Sequence, residues 1–421
     1  MFYSIVYIGP ADNNNLSGTI PEEVGDLLML NSIILKNDQI SGSIPTTFGQ
    51  LKHLEQIALY NNKLTGLIPD EIGDCEMLEY VGLHQNELSG NIPRSIRNLE
   101  QLESLSLYEN ELKGTITPAI GRLQQLDTLI LYSNRLTGRI PTEIGLLSKL
   151  TYVYLDENKL EGSIPDGLMN LPNLLSLDLS FNMLEGSLPM PDQDSPLRYL
   201  SVHDNNLSNH ISGDIQNMKD IEILLLSENK FRGSIPSSVK SFEGLVNFQA
   251  YSNLLTGAIP SGLFTPSLEI LFLSDNEFRE LPSNVHDAKH LKELHLSNNK
   301  IRSSIPNRID ELTSLELLLL DTNRFDGKIP TGIGNLENLS VFMVYDNRLT
   351  GKIPAEISNM KNLQMLGLEN NNLKGTVEQS ICDLQGIHLE SLWTDCGQDN
   401  NGNKKIKCDC CEVCCPSPKC R

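Results

Sequence analysis

The sequence predicts an α/β solenoid: a stack of short coils with a parallel β-sheet on the concave face and short 3-10 or irregular segments on the convex side. Three observations predict it: a repeat of about 24 residues, an asparagine at the same place in each repeat, and leucines spaced two apart just before it. At 421 residues the chain exceeds the size, about 300 residues, at which a single globular core usually stops growing. A one-dimensional stack has no such limit, because each coil needs only its neighbours.

Asn14, Asn62, Asn86, Asn110, Asn134, Asn158 and Asn182 fall on a 24-residue grid, with Asp38 in the one gap. Steps of 23 or 24 residues then lead through Asn205, Asn229, Asn253, Asn276, Asn299, Asn323, Asn347 and Asn371 to Asp395. Text such as Leu126-x-x-Leu129-x-Leu131-x-x-Asn134-x-Leu136-x-Gly138-x-Ile140-Pro141 recurs around each. Leu129 and Leu131 share one face of an extended segment and point inward, while Ile130 and Tyr132 point out, so each coil contributes one parallel strand. The Asn amide offers two donors and an acceptor with two lone pairs, which predicts a buried ladder satisfying backbone groups of its own and neighbouring coils. Asp38 and Asp395, which can only accept when ionised, sit near the two ends. The Gly after each Asn permits positive φ, and the Pro after Ile fixes φ and blocks helix continuation. About sixteen coils, the first degenerate, are expected over residues 1–380, with a cysteine-rich cap and tail over 381–421. In the middle of the chain Asn209, Glu280 and Ser303 replace the turn Gly and Ser212 replaces Pro, which reads as loop drift on the convex side.

Segments such as Asn62-Lys-Leu-Thr-Gly-Leu-Ile-Pro69 and Asn134-Arg-Leu-Thr-Gly-Arg-Ile-Pro141 resemble the plant-type leucine-rich repeat of receptor-kinase ectodomains and polygalacturonase-inhibiting proteins. The resemblance implies a leucine-rich-repeat solenoid, a right-handed horseshoe. Such a module recognises a protein, peptide or glycan on its concave face without catalysis, outside the cell or at its surface, in signalling or adhesion. It is expected to act as a monomer or a ligand-induced dimer. Two alternatives stand beside this reading: an intracellular scaffold with a zinc-binding or lipidated cysteine tail, and an ectodomain fragment of a receptor kinase. Gly9 and Ala11 occupy leucine positions in the first coil, which favours a chain that begins inside a longer one. The first ten residues lack the marks of a secretory signal, and no run approaches the roughly 20 apolar residues that span a membrane, so no membrane insertion by this chain is expected.

Lys+Arg 33 against Asp+Glu 54 give a formal charge of -21 without a basic stripe, which argues against nucleic acid as a partner. Neither glycine-rich phosphate loops nor kinase, zinc-protease or serine-hydrolase motifs occur, so no catalytic residue and no cofactor are expected. His84, His203 and His295 fall on outward strand positions and read as solvated surface residues.

The position two before each ladder residue points outward. Tyr60, His84, Tyr108 and Tyr132 occupy it in four successive coils, and Tyr80, Tyr152 and Tyr154 lie on adjacent columns. This aromatic track is the first candidate ligand site, since Tyr gives wide contact area at low entropy cost and a hydroxyl. The competing explanation is that Tyr simply suits strands of this repeat. A second candidate is an outward apolar patch containing Leu225, Phe272, Leu319 and Met343. Asn15, Asn206 and Asn338 open Asn-x-Ser sequons and are glycosylation candidates in a secreted chain.

Of nine cysteines, Cys75 takes a core register and is predicted to be a buried free thiol. Cys382, Cys396, Cys408, Cys410, Cys411, Cys414, Cys415 and Cys420 crowd one end and are predicted to form disulfides in an oxidising compartment. A Cys382 to Cys396 bridge would clamp the last coil, and Trp393 is expected to cover its open end. No metal is expected, although Cys411-x-x-Cys414 has zinc-ligand spacing and Cys408 to Cys415 contains enough thiols for a site. The ending resembles that of leucine-rich-repeat proteins from diatoms and related algae.

Overall fold

The computed structural model describes residues 7–8, 15–385, 387–396, 406–411 and 413–414. It comprises two units, Met1–Ser208 and Asn209–Arg421.

Each regular coil runs strand, turn, strand, 3-10 turn, an order set by which side chains can be buried. Around Asn134, the residues Leu126, Leu129, Leu131, Leu136, Ile140, Ile144 and Leu147 are all buried. Leu129 enters the core from the strand Thr128–Ile130, Leu136 from the second strand Arg135–Gly138 and Ile144 from the 3-10 turn Thr142–Leu146, and the others flank these elements. Pro141, extended at φ -67° and ψ 138°, stops the chain before that turn. Gly138 sits at φ 74°, a left-handed turn at which a Cβ would also meet Thr115 at 2.8 Å.

In unit 1 the first strands pair in parallel from Tyr7–Ile8 through Ser32–Ile34, Gln56–Ala58, Tyr80–Gly82, Ser104–Ser106, Thr128–Ile130, Tyr152–Tyr154 and Ser176–Asp178 to Tyr199–Ser201. The second strands form their own parallel sheet, starting at Ser17–Thr19. In unit 2 the first strands stay in register from Ile223–Leu225 to Ser391–Thr394, and Val413–Cys414 adds to that edge. The second sheet there breaks after Glu277–Glu280, following a register shift at Gly257/Ala258. Glu280 and Ser303 stand where the turn Gly belongs, and the next coil keeps only a single bridge, Ser304 to Asp326. The missing glycines thus cost strand pairing, beyond the loop drift read from the sequence. Asn209, by contrast, adopts the left-handed φ of 72° itself, and Ser212 caps the next 3-10 turn by accepting the Asp214 N–H at 3.2 Å.

The asparagine ladder joins coil to coil. Asn134 Nδ2 donates to Leu131 O at 3.1 Å and Tyr132 O at 3.2 Å in its own turn, and to Leu107 O at 3.0 Å in the preceding coil. Its Oδ1 accepts the Leu112 N–H of that coil at 3.0 Å. Asn86, Asn110, Asn158 and Asn182 repeat the pattern. The residue before each ladder position from Asp38 to Asn371, such as Asn61, Gln85, Glu109, Ser133, Glu157 or Phe181, is left-handed with φ between 49° and 60°. A non-Gly residue there costs on the order of 1 kcal/mol. The bend aims the Ser133 and Asn134 N–H groups at the Asp156 and Glu157 carbonyls of the next coil, 3.1 and 3.2 Å away.

The ends differ from the regular coils as acceptor chemistry requires. Asp38 Oδ1 accepts the Leu16 N–H at 2.9 Å. Asp395 lies off the ladder register, because the last strand step, Met365 to Ser391, is two residues longer than the 24-residue repeat. Its two oxygens accept the Asn370 and Asn371 N–H groups at 2.8 and 3.1 Å. Trp393 faces Gly367 across the sheet and is half-buried at an outward position, so it extends the strand surface instead of covering the end of the stack.

Cys382 bridges to Cys410, and Cys408 to Cys411. The expected Cys382 to Cys396 bridge is therefore corrected. Ile406–Lys407 pairs with Gly375–Thr376, and this return of the chain brings Cys410 to the helical turn Gln379–Cys382. Cys396 is also disulfide-bonded. The sulfurs of Cys382, Cys408 and Cys410 cluster within 4.8 Å, but all three are oxidised and supply no thiolate to a zinc ion. Cys414 is described only by its backbone, and Cys415 and Cys420 lie outside the described residues. Cys75 is a buried free thiol; burial pushes its pKa up to about 12, and it donates to Phe48 O at 3.1 Å. Among the described residues no helix is long and apolar enough to cross a membrane.

Removing one rung orphans the Leu112 N–H and takes one of two donors from each of the Leu107, Leu131 and Tyr132 carbonyls. Asn134→Ala is expected to lower stability in chemical denaturation by about 2–4 kcal/mol, whereas Gln101→Ala on an exposed turn should stay within about 0.5 kcal/mol of wild type. Equal, small effects from both would show that the ladder does not hold the coils.

Candidate functional site

Three outward columns run across the first strands of unit 1. One reads Tyr60, His84, Tyr108, Tyr132, Asp156; the next reads Ala58, Gly82, Ser106, Ile130, Tyr154, Asp178 in parallel register. The third contains Tyr80, Ser104, Thr128, Tyr152, Ser176 and Tyr199.

Strands about 4.8 Å apart bring like side chains nearly to stacking distance. Tyr60, His84, Tyr108 and Tyr132 close it, with ring centroids 4.3, 4.2 and 4.4 Å apart and planes within 14°. Small neighbours leave room for the rings. Ala58 and Ser106 are buried beside them, and the Tyr80 ring lies across Gly82, whose Cβ, if present, would fall 2.6 Å from the Tyr80 hydroxyl. His84 is 7% exposed, held between Tyr60 and Tyr108, so it is not the solvated residue its strand position suggests. Burial pulls its pKa down to about 4 against an opposing contribution from the Ser106 backbone, and its Nδ1 has no hydrogen-bond partner. Burial, then neighbouring charge, raises the phenol pKa of Tyr80, Tyr108 and Tyr132. His84, Tyr108 and Tyr132 are therefore neutral near pH 7. Lys36 Nζ lies 5.6 Å from the Tyr60 ring at one end, a cation–π contact.

At the other end the column turns acidic. Tyr132, Tyr154, Asp156, Ser176, Asp178 and Tyr199 line a recess of about 280 Å³. Tyr199 Oη donates to Asp178 Oδ2 at 2.8 Å, and Ser180 N and Oγ donate to Oδ1 at 2.9 and 2.6 Å. Tyr154 Oη donates to Ser176 Oγ at 3.0 Å. Burial first, then the facing Asp178, pushes the Asp156 pKa up to about 7. Tyr152 is exposed, its ring tilted 50° to Tyr154 at 6.5 Å, and stands outside the stack. The recess escaped sequence reasoning because Asp156, Asp178 and Tyr199 sit on three columns of three successive coils. Reading the columns side by side would have found it.

The second candidate does not form a continuous apolar patch. In unit 2 the outward register reads Leu225, Gln249, Phe272, His295, Leu319, Met343, Gly367, so polar residues interrupt it. Leu225, Phe272 and Leu319 are half-buried, and Met343 is buried because its sulfur folds into the space a Cβ on Gly367 would occupy. His295 stacks on Phe272 at 3.9 Å and 9°, and burial pulls its pKa down to about 4, so it too is not a solvated residue. His203 is half-buried, edge-on to Phe181 at 4.9 Å. Asn15, Asn206 and Asn338 are exposed. A groove of about 860 Å³ passes Leu67, Asn91, Arg94 and Lys113 along the second strands, but it mixes charges of both signs and offers no single chemistry to a ligand.

Fold and face together define a class: a parallel-strand repeat protein presenting side chains from many coils to one surface. Leucine-rich-repeat family models match residues 29–88 and 149–171, and a leucine-rich-repeat region model matches 266–417. The chain belongs to the leucine-rich-repeat family, in its plant-type form. It is similar to the plant peptide hormone receptor RGFR1, solved in complex with RGF2, at 33% identity and a TM-score of 0.81, covering 93% of this chain and 70% of that one. The Arabidopsis receptor kinase HAESA, solved with the peptide hormone IDA and the co-receptor SERK1, shows 33% identity and a TM-score of 0.80, covering 91% of this chain and 69% of that one. The Leptospira interrogans LRR protein LIC12759 shows 30% identity and a TM-score of 0.69, covering 93% of this chain and 96% of that one. Comparison with curated protein sequences returns no match.

His84 makes the stack sensitive to acid. Its pKa is near 4 in the fold and 6.5 ordinarily, so between these values the unfolded chain binds a proton that the fold excludes. Stability from this group is present above about pH 6.5 and is lost as pH falls toward 4. His84→Phe keeps the rings stacked, and its thermal midpoint is expected to fall less than that of wild type between pH 6.5 and 4. Parallel midpoint curves for the two proteins would contradict the burial of His84.

Proposed function

We propose that this chain is a non-catalytic recognition module that binds an extended peptide segment on the outward strip of unit 1, outside the cell or at its surface. One observation carries the reading: the stack of Tyr60, His84, Tyr108 and Tyr132. Rings already packed face to face lose little further freedom when a ligand arrives, so the strip is ordered in advance. Its ring edges, and the hydrogen-bonding capacity that remains on the Tyr108 and Tyr132 hydroxyls beside their bond to each other, suit the N–H and C=O groups of a main chain laid across them. A sugar stacks on an open ring face, and here the inner faces cover one another at 4.2–4.4 Å, which favours a peptide over a glycan.

The likeness to RGFR1 with RGF2, and to HAESA with a peptide hormone, supports the same use of the fold. The disulfides Cys382–Cys410 and Cys408–Cys411 and the exposed sequon asparagines support an oxidising compartment. In this reading residues 1–380 recognise the ligand, and residues 381–421 close the end of the coils.

Capture of a displayed library of random octapeptides tests the proposal. The paired change Tyr108→Ala and Tyr132→Ala is expected to reduce capture at least about tenfold while the far-ultraviolet spectrum stays that of wild type. Phe272→Ala in unit 2 should leave capture unchanged. The reverse pattern would move the site to the Phe272 region.

A further inference from the structure

We propose that the recess at the end of the ring stack seats a cation, the guanidinium or ammonium group of a basic residue in the bound peptide, between Asp156 and Asp178. The proposal rests on the peptide-binding reading above and specifies the chemistry of the ligand.

Three features of the recess support it. The first is a pair of half-buried carboxylates unequally served by donors. Asp178 accepts from Ser180 N, Ser180 Oγ and Tyr199 Oη, whereas Asp156 accepts from its own backbone N–H and is left to face Asp178. Two like charges in a partly desolvated recess repel, and a cation between them removes the repulsion. The second is the wall: Tyr132, Tyr154 and Tyr199 surround the carboxylates, and two of their hydroxyls are engaged with Ser176 and Asp178, which leaves ring surface toward the space. Ring walls around a carboxylate pair favour a flat, weakly hydrated guanidinium or an ammonium over a neutral group. The third is room. About 280 Å³ is many times the roughly 30 Å³ that one water molecule occupies, and no lysine or arginine is among the lining residues.

The position of the recess also orients the ligand. It follows directly on Tyr132, so a basic side chain placed there continues the line of a peptide lying along the rings. The other end of the strip carries Lys36 over Tyr60 and repels a basic residue. The titratable groups around Asp156 are Tyr132 on the coil before, Tyr154 and Glu157 on its own coil, Asp178 on the coil after and Tyr199 beyond that. All of them are acids. With its pKa raised to about 7, Asp156 holds a proton in the empty recess at mildly acidic pH, and an incoming cation displaces it to solvent. Affinity for the basic peptide therefore rises with pH through neutrality.

The test uses the full chain and pools of end-blocked random octapeptides on beads. The pools are alike except for one fixed position, which is arginine, glutamine or glutamate. Wild type is expected to capture the arginine pool at least about tenfold more strongly than the glutamine pool at pH 8, with the ratio shrinking below pH 6. Asp156→Asn should bring the two pools level, and Asp156→Lys should turn the preference to the glutamate pool, both with wild-type far-ultraviolet spectra. Free N-acetylarginine amide should compete only at concentrations at least about a hundredfold higher than the peptides; equal competition would overturn the proposal in favour of a seat for a small free cation. Equal capture of the arginine and glutamine pools, abolished by the paired tyrosine changes, would overturn the cation seat and leave peptide binding intact. An arginine preference that survives Asp156→Asn combined with Asp178→Asn would also overturn it. Capture of no pool would sink both readings.

Discussion

The side-chain amide of each ladder asparagine is the link on which the rest of the coil depends. It accepts from one N–H that would otherwise be buried without a partner, at a cost of about 1–3 kcal/mol, and gives a second donor to three carbonyls of its own and the preceding coil. Two donors and an acceptor on one short, flat group meet that demand; aspartate supplies only acceptors, as Asp38 does for the Leu16 N–H and Asp395, off the ladder register, does for the Asn370 and Asn371 N–H groups. The strained left-handed residue before each rung persists because the rung and the neighbouring coil fix the turn on both sides. With the backbone settled inside, outward positions are free to vary in chemistry.

The binding strip is a consequence of that freedom. Parallel register repeats one outward position at strand spacing, so four ring-bearing coils in succession give a stack, and the first carboxylate in the column ends it. The two parts of the strip differ energetically. Ring stacking adds burial and contact, whereas Asp156 is held above its ordinary pKa and weakens the fold once ionised. Asp178 is braced by its neighbours, while Asp156 gains no such support, and a residue that costs stability without local return is the kind expected at a functional site.

The fold was legible because its signals are local and repeated: the amide at the turn, leucines two apart, and a proline where the chain must not continue a helix. The tyrosine column was legible from the two-residue alternation alone. Less was visible where a residue's setting depends on other coils. His84 looks solvated until rings on both sides are counted. Met343 looks exposed until Gly367 opposite it is seen to leave a space. Cys382 finds Cys410 because residues 406–411 return beside it, and no spacing rule encodes that return. The left-handed turn residue has no fixed identity, since Asn61, Gln85, Glu109 and Phe181 all adopt it. The acidic recess draws from three columns at once, and a single-column reading passes over it.

Exchange of individual backbone amides is the most direct measure of whether the ladder holds the coils together. The N–H groups of Leu64, Leu88, Leu112, Leu136 and Leu160 donate to ladder Oδ1 atoms at 2.9–3.0 Å. If these rungs carry the structure, the five amides exchange as slowly as those of the buried strand leucines, opening only with the whole unit. Exchange as fast as in the exposed 3-10 turns would contradict the account, because the coils would then be joined by apolar burial without the asparagines.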